Sequence, residues 1–288
     1  MAAPPKNHRL EFGGVFIEQK VIDTSQIFAA LHLNHVFFTQ IVKCQLNPLP
    51  NTMFRLILCA EKAIVSCGVS VYNKKQIMHG IREGFMYQNI IFDFGGVVVD
   101  YNPRNFLMDR FMNKHAEEIV YDLTFGSQEW QDLDRGTITR AVANRTMMEN
   151  AAHVNREFEV RTVIEEWSSM LRTKKTTVKI MRALKKSGYR LYYLTNIPVD
   201  IMDEMRQRDW FSLFDGGIAS CDVHLCKPEP EIYTTLMQEC NLAYDESIFV
   251  DDNKINAQAA YNLGITGILY KNPKSFLRAL GACGIQLK

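Results

Sequence analysis

From Ile90 onward the chain alternates short apolar runs with amphipathic segments of 10 to 15 residues, and no other feature restricts its fold so severely. "IIFDFGGVVVD" opens the series at residues 90 to 100, and "LYYLT" (191–195), "SIFVDD" (247–252) and "GILY" (267–270) continue it. Buried runs of this length read as strands. Parallel strands cannot be joined by a tight turn, so the segments between them must be crossover helices. "TVKIMRALKKSG" fits that part, with Val178, Met181 and Leu184 at helical spacing and Gly188 as its stop. "EPEIYTTLMQEC" and "NKINAQAAYNLG", the second ending at Gly264, supply two more helices.

The rhythm breaks between Pro103 and Lys174. "NFLMDRFM", "AEEIVYDL", "TRAVANRTMMENAA" and "EVRTVIEEWSSML" carry helical patterns without an intervening strand, as an all-helical insert or lid would. The expected domains are therefore a core of residues 86–102 and 174–288 and a helical cap of residues 103–173. Residues 1–85 have no clear period apart from the turn "LNPLPN". They read either as an extra domain or as an over-extended start, and the sequence favours translation beginning at Met86.

Composition narrows the partners. At 288 residues and 47% hydrophobic content the chain can bury one large core or two unequal ones. Its 33 Lys and Arg against 32 Asp and Glu leave no electrostatic footprint for nucleic acid or an anionic membrane, so a small molecule is the expected partner. Seven scattered cysteines suit a reducing compartment, and the cytoplasm is the expected location. "MAAPPKNHRL" lacks the basic and apolar regions of a secretory signal, while "IFAALHLNHVFFTQIV" and "FRLILCAEKAIVSC" are too short or too interrupted to span a bilayer.

In open α/β sheets the working residues gather at the carboxyl ends of the strands. Those ends offer Asp93, Thr195, Lys227 in "HLCKPEP", and Asp252. Two carboxylates, a hydroxyl and an ammonium suit a phosphate handled with a divalent cation. "DFGGVVVD", "YLTN", "CKPEP" and "VDDNKINAQAA" then resemble, in order and spacing, the four motifs of the haloacid dehalogenase-like (HAD) hydrolase superfamily. The resemblance covers residues 88 to 272, and the insert looks like the cap of the first subclass. The first and fourth motifs are most similar to a bacterial sugar-phosphatase-like group.

What the resemblance implies is an α/β fold, a Rossmann-like three-layer core with a parallel sheet plus a small α-helical cap inserted after the first strand. It implies a Mg2+-dependent phosphatase acting on a small phosphorylated metabolite such as a sugar phosphate. Asp93 would attack phosphorus and carry an aspartyl phosphate. Thr195 and the backbone N–H groups of Gly95, Gly96 and Asn196 would hold the phosphoryl oxygens, with Lys227 offsetting their charge. Asp93, Asp252 and the carbonyl of Gly95 would hold Mg2+. Glycines at 95 and 96 let the backbone turn sharply against a phosphate, which is why an acid at a strand end is followed by them. Two readings stand beside this one: a non-catalytic protein that binds a phosphate ligand, and a metal-independent 2-haloacid dehalogenase.

The sequence departs from the family in two places. Many HAD phosphatases place a second aspartate two residues after the nucleophile to protonate the leaving group, and Gly95 stands there. Losing such a group costs a factor of about 10² to 10⁴ in rate. Asp100, a bound water, or an acyl phosphate that needs little help are the alternatives, and a phosphomutase is disfavoured. In the fourth motif Asn256 replaces an acid and is expected to hold a metal-bound water. If the strand stays extended, only one of Asp251 and Asp252 faces the cation, and the motif selects Asp252.

Other features have blander readings. An aspartate at a strand end also serves as an N-cap, but four such positions in order outweigh that rival. "CDVHLC" (Cys221, His224, Cys226) lacks the second half of a zinc site, and His32 and His35 in "HLNH" lack a third ligand. Trp130 and Trp167 are expected in the cap's core, with Trp130 also able to line the pocket beside Glu129 or Arg135.

Overall fold

The computed structural model describes residues 87–287. The expectations for residues 1–85, for His32 and His35, and for a start at Met86 lie outside the described residues.

β1 (Asn89–Phe92) enters the molecule and leads into a helical insert. The insert comprises α1 (Pro103–Phe111), α2 (Lys114–Leu123), α3 (Gln128–Asp134), α4 (Arg140–Ala152), α5 (Glu157–Glu166) and a 3-10 turn at Trp167–Met170. The chain then alternates α6 (Lys175–Lys186), β2 (Arg190–Thr195), α7 (Val199–Arg206), β3 (Gly216–Ala219), the single turn α8 (Ser220–Val223), α9 (Pro230–Glu239), β4 (Ser247–Asp251), α10 (Lys254–Asn262), β5 (Thr266–Leu269) and α11 (Pro273–Ala282). The strands form one parallel sheet in the order β3-β2-β1-β4-β5. Helices on both faces make the Rossmann-like three-layer α/β fold.

Five elements escape the sequence reading, β3, α3, α7, α8 and α11, and the first two bear most on the site. β3, "GGIA", has two glycines where a strand ordinarily shows branched side chains, so its pairing with β2 comes from the sheet and not from propensity. Lys227 accordingly lies beyond β3 and α8, in the loop before α9, rather than at a strand end. The second is α3, seven residues long and capped by Ser127, whose hydroxyl accepts the N–H of Trp130.

Period-two alternation sends Ile90 and Phe92 to one face of the sheet and Ile91 to the other. On the first face they join Leu191, Ile248, Val250 and Ile268, and this core runs on without a break into Phe106, Val120, Trp130, Met147 and Trp167 of the insert. On the second face Ile91, Leu194 and Phe249 pack against Ile232, Tyr233 and Leu236 of α9. Each such side chain, fully buried, contributes about 1.5–3 kcal/mol. Trp130 and Trp167 meet edge to face at 4.8 Å, so the insert's core is as expected.

Entry and exit of the insert are strapped together. Val99 bridges Thr173, the Asp100 N–H donates to the Arg172 carbonyl, and the Lys174 N–H donates to the Val98 carbonyl. The Lys174 ammonium also reaches the Gly96 carbonyl at 2.6 Å.

Candidate active site

Register decides which residues meet. Phe92 pairs with Tyr193 of β2 and with Val250 of β4, so Asp93 comes level with Asp251 and one residue short of Thr195 at the carboxyl end of the sheet. The Asp93 N–H still donates to the Val250 carbonyl at 2.9 Å, holding Asp93 beside Asp251. Beyond it the chain turns: the N–H groups of Val97, Val98 and Val99 all point back to the Phe94 carbonyl. Gly96 takes a left-handed conformation at φ +68° within that turn.

Asp93 is buried, and its Oδ1 accepts from the Phe94 N–H at 2.7 Å and lies 2.9 Å from the Lys227 ammonium. Burial pushes its carboxyl up to about 7; Lys227 pulls it down, while Asp251 and Asp252 push it further up. The Lys227 side chain, 1% exposed, also binds Asp251 at 2.7 Å. The two carboxylates outweigh its own desolvation and hold the ammonium above the usual lysine range.

Lys227 is aimed from both sides. Asn196, which follows β2, accepts the Lys227 N–H at 2.8 Å through its side-chain oxygen and donates its amide to the Lys227 carbonyl at 3.0 Å. That pair of hydrogen bonds between loops is a role the sequence does not suggest. Asp251 is fully buried and also receives the Asn253 N–H at 2.7 Å and the Asn256 amide at 3.3 and 3.2 Å. The Asn256 amide is thus spent on Asp251, not on the metal-bound water expected for it.

Asp252 lies on the outer side, one residue past the end of β4, so the alternation that would turn it away from Asp251 does not apply. One oxygen from each of Asp93, Asp251 and Asp252 falls within 4.8 Å of the others. Asp252 stays open to solvent on that outer side, yet partial desolvation and the neighbouring Asp251 push it up to about 6, against Lys227 and Lys174. Three carboxylates around one buried ammonium leave negative charge uncompensated, and a hard, oxygen-seeking divalent cation fits that donor set. Among the described residues this is the one group of three or more His, Cys, Asp or Glu side chains that could share an ion. In "CDVHLC", His224 Nδ1 instead meets the Arg135 carbonyl at 2.9 Å.

A cavity of about 190 Å³ opens over these groups, and Asp93, Gly95, Thr195, Asn196, Lys227 and Asp252 all line it. The rest of its lining is largely apolar and includes Trp130, Trp167, Leu171, Ile197, Ile201 and Met205. Two polar residues unmarked in the sequence face it as well: Tyr101, and Asp134 at the end of α3. Glu129 and Arg135 do not line it; Arg135 is turned to an ion pair with Glu229. Asp100, expected as a substitute acid, lines a separate cleft and faces Lys174 at 3.7 Å and Arg172 at 4.0 Å.

Among the described residues no helix is long and apolar enough to cross a membrane. A family model described as haloacid dehalogenase-like hydrolase matches residues 87–264. A sesquiterpene phosphatase of Aspergillus oryzae is 27% identical over 184 residues, 63% of this chain and 89% of that protein. Bifunctional epoxide hydrolase 2 of Rattus norvegicus is 25% identical over 189 residues, 62% of this chain, and the match spans only 33% of that longer protein. The structure of a HAD-like family hydrolase from Porphyromonas gingivalis superposes with a TM-score of 0.52 at 21% identity, over 68% of this chain and 98% of that one.

Proposed function

The protein belongs to the haloacid dehalogenase-like hydrolase family, and from that premise we propose that it is a magnesium-dependent phosphatase that hydrolyses a small phosphate ester through an aspartyl phosphate on Asp93. The observation that carries this reading is the Lys227 ammonium lying 2.9 Å from Asp93 within a cluster of three carboxylates, against a cavity that both residues line.

Asp93 is the nucleophile. Lys227 orients its carboxylate and lowers the repulsion between that carboxylate and an incoming phosphoryl dianion. Thr195, with the N–H groups of Gly95 and Asn196, receives the phosphoryl oxygens, whereas Gly96 lines the neighbouring cleft. Asp251 and Asn196 are positioning residues that hold Lys227. Asp93, Asp252 and the Gly95 carbonyl would hold Mg2+, which when bound supplies positive charge for the oxygens of phosphate and nucleophile. Residues 103–173 act as the cap that shields the reaction from water.

Away from the phosphate-binding groups the cavity lining is mostly apolar, which supports a phosphate ester of an apolar alcohol over one of a polyhydroxylated sugar, since only Tyr101, Asp134, Asn253 and Asn256 stand there to replace the water lost by sugar hydroxyls. The sesquiterpene phosphatase among the relatives agrees with that choice. Free thiols at Cys221, Cys226, Cys240 and Cys283 support a reducing, cytoplasmic setting. The test is a panel of phosphate esters offered to the full chain with Mg2+ and with EDTA, beside Asp93→Asn. Phosphate release that needs Mg2+ and vanishes in the variant is expected. Binding without turnover, or chloride release from a 2-haloacid unaffected by EDTA, overturns the reading.

A further inference from the structure

We propose that Asp134, delivered by α3 of the helical insert, is the catalytic acid and base that the nucleophile turn lacks at Gly95. The inference rests on the phosphatase reading above.

The turn itself does not supply the group. Gly95 has no side chain, and a β-carbon there would rest in ordinary contact, 3.5 Å, with the phenol-bearing side chain of Tyr101. Burial keeps that phenol protonated, well above the usual tyrosine range, which makes it unfit to accept a proton from water. Among the described residues the carboxylates lining the cavity are Asp93, Asp134 and Asp252. Asp93 attacks and Asp252 faces the cation, which leaves Asp134.

Its position is fixed from the core. The Ser220 hydroxyl donates to the Asp134 carbonyl and at the same time accepts the Ile197 N–H at 2.9 Å, two residues past Thr195. The next residue, Arg135, pairs with Glu229 and donates to the His224 carbonyl at 3.0 Å on the loop that carries Lys227. Gly136 packs so closely on Cys221 that a β-carbon there would come within 2.6 Å of its carbonyl oxygen. This segment of the insert is therefore clamped to the two loops that hold the phosphate-binding threonine and the lysine.

The surroundings favour a carboxylic acid. The titratable and charged groups that act on Asp134 or feel its charge are Arg140 at the start of α4, Lys227, Tyr101 and Cys226. Burial outweighs the two cations and pushes Asp134 up to about 7, so both protonation states are populated near neutrality, as a group that gives and retrieves a proton requires.

The chemistry balances. An Asp93 oxygen bonds to phosphorus while the ester P–O bond breaks, and the leaving oxygen takes the Asp134 proton to depart as an alcohol. Asp134, now a carboxylate, accepts a proton from the water that attacks the aspartyl phosphate. The bond between phosphorus and Asp93 breaks, inorganic phosphate leaves, and both carboxyl groups return to their starting states.

The test is the leaving-group dependence of full-length Asp134→Asn, with Mg2+ present. An alkyl phosphate needs its departing oxygen protonated, whereas p-nitrophenolate leaves unaided. Expected is a fall in kcat/KM of about 10² or more on an alkyl phosphate, little change in kcat/KM on p-nitrophenyl phosphate, and a burst of p-nitrophenol before a slowed steady state. Retained reaction with the aryl ester shows the variant folded. A loss equal for both esters, or none for either, overturns the assignment while leaving Asp93 and the phosphatase reading intact. Wild-type protein that hydrolyses neither ester overturns both.

Discussion

The Lys227 ammonium stands 2.9 Å from Asp93 and 2.7 Å from Asp251, tying the ends of β1 and β4 through one buried charge. Removing it strands two carboxylates. Lys227→Met should abolish turnover and cost about 3–5 kcal/mol of stability, the usual penalty for breaking a buried pair from one side. The sign of its pH dependence follows from Asp93. Its folded carboxyl lies at about 7, against an unfolded value of roughly 3.9. The folded state thus binds that proton more tightly, and its contribution to stability is lost as pH rises between the two values. Urea denaturation should show a larger deficit for the variant at pH 8 than at pH 5.

Gly96 and Asp252 make a second test. A β-carbon at Gly96 would fall 1.9 Å from an Asp252 carboxylate oxygen, and φ +68° already disfavours any L side chain. Gly96→Ala should displace Asp252 and carry about 1–3 kcal/mol of backbone and steric strain. Titration with Mg2+ should report at least tenfold weaker binding; unchanged affinity would mean that Asp252 does not face the ion.

The uncompensated carboxylates imply stabilisation by a divalent cation. At 100 times its Kd, Mg2+ should add about 2.7 kcal/mol to wild-type stability. Thermal melts should rise with Mg2+ in wild type and not in Asp252→Asn. Equal rises in both would place the ion elsewhere.

Asp134 should leave a mark on the alkaline side of the pH profile. The proton donor works only while protonated, so kcat/KM for an alkyl phosphate should fall as pH rises through about 7. That limb should vanish in Asp134→Asn. A limb unchanged in the variant assigns it to another group.

The core was readable because it is written locally. Apolar runs, glycine stops and acids at strand ends survive as linear patterns, and the four motif residues Asp93, Thr195, Lys227 and Asp252 do line one cavity. What escaped depends on partners distant in sequence. β3 is held by its register with β2, from Tyr192 opposite Gly216 to Thr195 opposite Ala219, and its glycines carry no strand signature. Asn196 looked like a backbone donor only, because its side-chain bonds run to a residue 31 positions away. Asp134 had no motif around it. Its relevance arises where α3 docks on Ser220, 86 positions on, a contact no spacing encodes. The part Asp251 plays in holding Lys227 was also hidden, because that bond runs to a loop 24 residues away.

The central claim is a covalent bond from Asp93 to phosphorus. Full-length protein mixed with a ³²P-labelled ester and Mg2+, quenched in acid and digested, should yield one hydroxylamine-labile phosphopeptide containing Asp93, with none from Asp93→Asn. Label recovered on a different residue, or undiminished phosphate release by the variant, would contradict it.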